Sequence, residues 1–367
     1  MMRTIFTIFI VLHAMIHGLG FLKAFHFAEL NELNENISRI YGTIWGIVFI
    51  IFIVAAVQFI VNFDLWWFSC AIGVVLSQLL IFLFWQDAKF GSIPNLIILL
   101  IVVIAFANWQ FDRKVRSEIT QIFSSNTSSI ETIPHQKPFS ELPHIVQTWI
   151  NHSNIEKKGM ISSVRLKQKI FMKMKPDQKE WTEAHAEQYF ALNTPAFLWR
   201  VKLKMNPFVH VVGRDLFSKG KGRMEIKLFS LLRVVDATGP KMDSGTLQRY
   251  LGEMIWFPAA AHSQYITWEP VDTCSAKATM DYNGTVDSGI FYFNTHGEFT
   301  KYSALRFKEN ETDSERIPWE ITVVKYKEID GVRIPVELEA TWKLPEGDWT
   351  WLHLEISEIE YNNPEVY

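Results

Sequence analysis

Arg249 and Glu253 lie inside the run Ser244-Gly-Thr-Leu247-Gln-Arg249-Tyr250-Leu251-Gly-Glu253-Met254-Ile-Trp256. Leu247, Tyr250, Leu251 and Met254 recur at helical spacing, so the run predicts one helix. Asp243 or Ser244 would cap its start and Pro258 would end it. Arg249 and Glu253, four residues apart, then share one helix face. If that face is buried, each charge needs a partner, and Glu269, Arg306 and Asp215 are the candidates. Two chemistries fit this set. One is structural, a polar clasp that fixes the helix to the rest of the domain. The other is recognition, a carboxylate or head-group site built on Arg249 and Arg306, because a guanidinium offers a planar fork of donors. Trp199, Trp256, Trp268 and Trp342, among 14 Trp in the chain, would either fill a core or line an apolar pocket.

Catalytic signatures do not appear. There is no Gly-x-Ser-x-Gly elbow, no His-Glu-x-x-His, no P-loop and no Gly-x-Gly-x-x-Gly followed by a ribose-binding acid. His185, His210, His262, His296 and His353 stand singly. Cys70 and Cys274 belong to no C-x-x-C pair, which argues against a zinc ribbon or a redox motif. The sequence therefore predicts no catalytic residue, no metal site and no cofactor. An enzyme acting on membrane lipid or envelope precursors would have to bring Glu253, Glu269, Asp215 and His262 together. A net charge of −3 implies no nucleic-acid partner. A third reading is a protein-interaction domain without a ligand.

The elements that must position these residues are mostly strands. Val164, Leu166, Ile170, Met172 and Met174 alternate with Arg165, Lys167, Lys169, Lys173 and Lys175. Phe197, Trp199, Val201, Leu203 and Met205 alternate with Arg200, Lys202 and Lys204, and Val336 to Leu344 repeats the pattern. Period two with one wet face reads as antiparallel strands. The cationic faces would be solvated or would touch anionic head groups. Asp330-Gly331, Asn283-Gly284, His296-Gly297 and Lys219-Gly220-Lys221-Gly222 mark turns. About nine or ten strands are expected between Met160 and Tyr361, with His144–Ile150 a short helix. So many strands twist cumulatively. A strongly curved antiparallel sheet, a half-barrel crossed by the Thr246–Trp256 helix, is the expected α+β fold.

The N-terminal part is of another kind. Ile5–Phe25, Gly42–Val61, Leu65–Trp85 and Ile93–Trp109 are each apolar enough for a membrane span, which needs about 20 residues. Trp66, Trp67, Trp85 and Trp109 fall at span ends, where amphipathic rings sit. The first span is long and lacks a small-x-small cleavage site, so it does not read as a signal peptide. Four spans put Arg3, Arg113, Lys114 and Arg116 on one side and Lys23, Arg39 and Lys89 on the other. The positive-inside rule then favours a cytoplasmic β domain. His13 and His17 share one face of the first span, and hydrogen bonds to neighbouring helices are their expected role. The domain plan is a four-span transmembrane domain over 1–110, a linker over 111–137 that includes the polar run Ser124–Ser129, and a β-rich domain over 138–367.

Two resemblances rest on particular residues. The stretch His13-Ala-Met-Ile-His17-Gly18-Leu-Gly20 resembles the first helix of DoxX-like four-span membrane proteins. Arg249-Tyr250-Leu251-Gly-Glu253-Met-Ile-Trp256-Phe257-Pro258, with Trp181, Phe197-x-Trp199, Asp215, Arg306, Trp319, Ile334-Pro335 and Trp342, resembles a bacterial domain family catalogued only as of unknown function. That likeness runs from about Phe139 to Tyr361 and implies no activity. The β pattern is also similar at fold level to the half-barrels of bacterial lipoprotein carriers (LolA-like), which hold acyl chains. The resulting expectation is a binding protein anchored in the bacterial inner (cytoplasmic) membrane. Membrane lipid or an apolar small molecule would be its partner. Its ligand-binding residues would be Arg249, Glu253, Trp256, Trp268, Glu269, Arg306, Trp199 and Trp342.

Overall fold

A computed structural model describes residues 2–29, 34–128, 137–206, 209–309 and 313–367. The chain divides into two compact units, Met1–Asp112 and Arg113–Tyr367.

The first unit contains α1 (Met2–Ala24), α2 (Arg39–Ile60), α3 (Trp66–Leu83), a short helical turn Trp85–Ala88 and the first part of α4 (Ser92–Ser128). Four helices are long and apolar enough to cross a membrane. Their outward residues, among them Leu12, Ile50, Val75 and Leu96, are aliphatic and exposed. A helix that is greasy on all sides suits a lipid environment. Small residues let the backbones close up, since a Cβ on Gly20 would lie 2.6 Å from the Trp45 ring and one on Gly42 would strike Ala24. Polar side chains sit inside. His13 Nε2 lies 2.8 Å from Asn95 Oδ1, and His17 Nε2 lies 2.9 Å from Ser77 Oγ. Asn95 Nδ2 donates to Ser77 and to Gln78. The two histidines thus tie α1 to α3 and α4.

In the second unit thirteen strands are described, and they form one antiparallel sheet. They are β1 (Ser163–Met172), β2 (Thr182–Ala191), β3 (Ala196–Lys204), β4 (His210–Ser218), β5 (Lys221–Leu228), β6 (Leu232–Ala237), β7 (Ile266–Asp272), β8 (Ser275–Tyr282), β9 (Thr285–Phe293), β10 (Phe299–Phe307), β11 (Arg316–Ile329), β12 (Val332–Leu344) and β13 (Gly347–Tyr361). The order runs from β6 down to β1, then β13 down to β7, so β1 pairs with β13 at the centre. The count exceeds the expected nine or ten. The stretch Ile266–Phe293 holds three short strands, and the first turn, Thr273-Cys274, carries no glycine to announce it. The expected Gly and Asn turns are left-handed, with Asn283 and Gly284 at φ 50° and 79° and Asp330 and Gly331 at 51° and 78°.

Two further helices complete the unit, α5 (His144–Ser153) and α6 (Pro240–Glu253). A one-turn 3₁₀ segment, Met254–Trp256, continues α6. α6 begins earlier than Asp243 or Ser244. Gly239 is its N-cap and Pro240 its first residue, because proline costs nothing where no N–H partner is due. The sheet curls around this helix as a half-barrel. α6 packs against β4 and β5 on one flank and β8, β9 and β10 on the other. The tips of two hairpins meet, with Thr285 Oγ1 donating to Gly220 O at 2.7 Å. Phe190, Phe197, Phe217, Phe291, Phe299, Tyr250 and Phe257 are fully buried between helix and sheet.

The expected linker over 111–137 differs. α4 continues unbroken to Ser128, and its stretch Lys114–Phe123 packs on the outer face of the sheet. Val115, Ile119, Ile122 and Phe123 are buried there. Glu118 holds Arg214 of β4 through two bonds of 2.5 and 2.6 Å, and Lys114 reaches Glu225 of β5 at 2.5 Å. Apolar spacing within 111–123 thus overrides the polar look of the segment. Residues 129–136 lie outside the described residues.

Candidate functional site

Register fixes which side chains face α6. The period of two makes Phe190, Phe197 and Phe217 one inward row across β2, β3 and β4. The next inward row is Leu166, Gln188, Trp199, Asp215 and Met224. Arg249 descends from α6 onto this row. Its Nη1 lies 2.6 Å from Asp215 Oδ2, its Nε 2.8 Å from Glu253 Oε1, and its Cζ stands 4.9 Å over the Trp199 ring. Gln188 donates to Glu253 at 2.6 Å, Gln168 to Gln188 at 3.1 Å, and Trp199 Nε1 to Gln168 at 2.8 Å. One cation, two carboxylates and two amides thus form a continuous polar seam between helix and sheet.

Electrostatics follow from this arrangement. Burial by itself would lower the pKa of Arg249, but Glu253 and Asp215 outweigh it and hold it above the ordinary value. Burial pushes the Glu253 carboxyl up, with Arg249 opposing and Asp215 adding to the rise. One guanidinium shared by two acids leaves the second acid poorly compensated.

Arg306 behaves differently. It lies on the inward face of β10, in the phase of Tyr302 and Ala304. Its Nη2 donates to Gly245 O of α6 at 2.9 Å, and its Cζ stands 4.2 Å over Trp319. Among the described residues no carboxylate lies within ion-pair distance of it, and its Nε is buried without a partner. Burial, reinforced by Arg249, brings its pKa down to about 10. Trp342 stands beside Trp319, with ring centroids 6.4 Å apart.

The other expected residues lie elsewhere. Trp256 is fully buried beneath the helix end, donating to Pro335 O at 3.1 Å. Trp268 donates to Ala261 O and packs on Phe291. Glu269, its side chain 63% exposed, faces out from edge strand β7 opposite Lys277. Alternation along β7 sends neighbours to opposite faces, so Glu269 cannot join Arg249. His262 Nδ1 lies 3.2 Å from Lys137 O. Of the four groups an enzyme would need, Glu269 and His262 therefore lie apart, while Asp215 and Glu253 are both bound to Arg249. The cationic face of β1 is paired rather than free, with Arg165 on Glu360 and Lys167 on Glu358.

Two features escaped the sequence reading. Gln168 and Gln188 are polar at inward positions of otherwise apolar strands. That break in alternation was a visible signal. Asp287 of β9 is a second clasp, gripped by both Nη atoms of Arg316 at 2.9 and 2.8 Å, by Ser244 at 2.5 Å and by Gln248 at 2.8 Å. Nothing in sequence spacing joins residues so far apart.

A family model described as a family of unknown function, DUF6920, matches residues 140–361, more than half of the chain. The chain belongs to that family. Comparison with curated proteins gave no match. Among solved structures, a LolA superfamily protein from Nitrosomonas europaea is similar, with 11% identity over 60% of this chain and 92% of that one, at a TM-score of 0.36. So distant a likeness says nothing about what the DUF6920 domain here binds.

Proposed function

We propose that this chain is a membrane-anchored carrier whose half-barrel holds a lipid or another apolar molecule against its inner face. One observation carries the reading. Beyond the rows that α6 covers, the inward face continues as Val201, Gly213 and Ile226, then Leu203, Val211 and Leu228, across β3, β4 and β5. Leu352, Leu344 and Trp349 extend it on β12 and β13. Val201, Val211, Ile226, Leu228, Leu344, Leu352 and Trp349 keep partly exposed surface although they face inward. Apolar surface on a concave face gains roughly 25 cal/mol for each Å² that a guest removes from water. Four candidate spans in the same chain suit a ligand drawn from a bilayer.

α6 and its aromatic neighbours fill the concavity near Phe190 and Tyr250, so a guest would lie over the inward rows beyond them. The full-length chain, purified in a neutral detergent and extracted with organic solvent, should release a lipid in near-stoichiometric amount by mass spectrometry. Replacing Val211 by glutamate should abolish that recovery while the fold persists by circular dichroism. Recovery of no apolar molecule, together with no binding of an added one, would overturn the reading.

A further inference from the structure

Among the described residues, Arg306 Nε, Trp319 Nε1 and Trp349 Nε1 are buried donors without a partner. They follow one another across β10, β11 and β13. Arg306 lies on the Trp319 ring, Trp319 pairs across strands with Trp342, and Trp342 pairs with Trp349. A second cation borders the row, Lys308 Nζ, 5.3 Å over the Trp349 ring and 3.9 Å from Glu309 Oε1. The unpartnered acceptors of this region, Asp215 Oδ1 and Gln248 Oε1, bond to none of these donors. Leaving a donor buried and unpaired is costly, and natural interiors keep few such groups. A cluster made of donors and flanked by two cations is complementary to an oxyanion, whose bonds to them are charge-assisted. Arg249 offers no such site, since its guanidinium is already committed to two carboxylates.

We infer that the half-barrel takes an anionic amphiphile, its carboxylate or phosphate ester received by Arg306 and Trp319 and its chain laid along the inward apolar rows. This rests on the carrier reading above and goes further by naming the head. A neutral lipid would leave Arg306 uncompensated, and a free anion would leave the apolar rows uncovered.

The test uses the full chain in a neutral maltoside detergent, with four probes: palmitate, dodecyl phosphate, hexadecanol and inorganic phosphate. Tryptophan fluorescence reports occupancy beside Trp319. Palmitate and dodecyl phosphate should both bind at least about tenfold more tightly than hexadecanol, the scale of one charge-assisted bond. Arg306→Gln should erase that preference yet leave hexadecanol binding in place. Its retained hexadecanol binding also serves as the check on its fold. Arg306→Lys, which keeps the charge without the planar fork, should keep part of the preference. Equal affinity for palmitate and hexadecanol in the wild type would overturn the anion site while the carrier reading stands. A preference that survives Arg306→Gln would overturn the assignment to Arg306. Inorganic phosphate binding as tightly as dodecyl phosphate would make the site one for a soluble anion and overturn the amphiphile. If no lipid binds, both readings fall together.

Discussion

Replacing Arg249 by methionine would leave Asp215 and Glu253 facing one another in a buried seam. The cost of stripping one partner from a buried charge cluster is about 3–5 kcal/mol, and a denaturant titration followed by tryptophan fluorescence should show it. Glu253→Gln should be mild by comparison, because Asp215 still holds Arg249 and an amide can still meet Gln188. The two carboxylates also set a pH dependence with a definite sign. Burial raises the Glu253 carboxyl above its ordinary value of 4.5. A group with a raised folded-state pKa favours the fold while protonated, and that contribution fades as pH climbs through the folded-state value. Melting temperatures of wild type and Glu253→Gln should therefore diverge in the variant's favour from about pH 4.5 upward. A gap that stays level or moves the other way would show that Arg249 keeps Glu253 ionised. At this scale the sequence was half legible. The four-residue spacing of Arg249 and Glu253 announced their pairing, and Asp215 stood at an inward strand position beside Trp199. Glu269 and His262 misled, because facing direction on a short edge strand or a loop is set by register and not by residue type.

The helix α6 sits close to β5 because Gly222 lets it. A Cβ at that position would lie 2.5 Å from Met242 O of the helix backbone and would also strike Thr246. Since backbone cannot swing aside as a side chain can, Gly222→Ala should destabilise the domain by about 1–3 kcal/mol, measurable by thermal melting. A loss below about 0.5 kcal/mol, the scale of ordinary surface substitutions, would mean that α6 can back away. The elements themselves were largely readable. Alternation marked β1, β3 and β12, Asn283-Gly284 marked the β8–β9 hairpin and Asp330-Gly331 the β11–β12 hairpin. Pro240, three residues before Asp243 and four before Ser244, was the overlooked start of α6. The thirteen described strands exceed the nine or ten expected, and turns such as Thr273-Cys274 carry no glycine to mark them.

For the whole chain, the segment after the last span proves to be part of the β unit. Glu118 and Lys114 cap two nearly or fully buried charges on the sheet, Arg214 at 2% exposure and Glu225 at 0%. A fragment starting at Arg113 should melt at least about 5 °C above one starting at Lys137. In a domain of this size 1 kcal/mol moves the midpoint by roughly 2–4 °C, and the shorter fragment forfeits both ion pairs and the apolar contacts of Ile119 and Phe123. Equal midpoints in calorimetry would reduce the segment to a tether. Serine and asparagine late in this segment had suggested a loose connection. The buried Val115, Ile119, Ile122 and Phe123 hold its helix on the sheet regardless.

Arg214 and Asp215 are consecutive on β4, one gripped by Glu118 from outside and the other by Arg249 from inside. A slip of β4 by a single residue would turn each to the wrong side. The guanidinium would then meet Arg249, and the carboxylate would meet Glu118. Both encounters are repulsive, so this pair works like a key cut with opposite teeth one notch apart, and the strand can seat in one alignment alone.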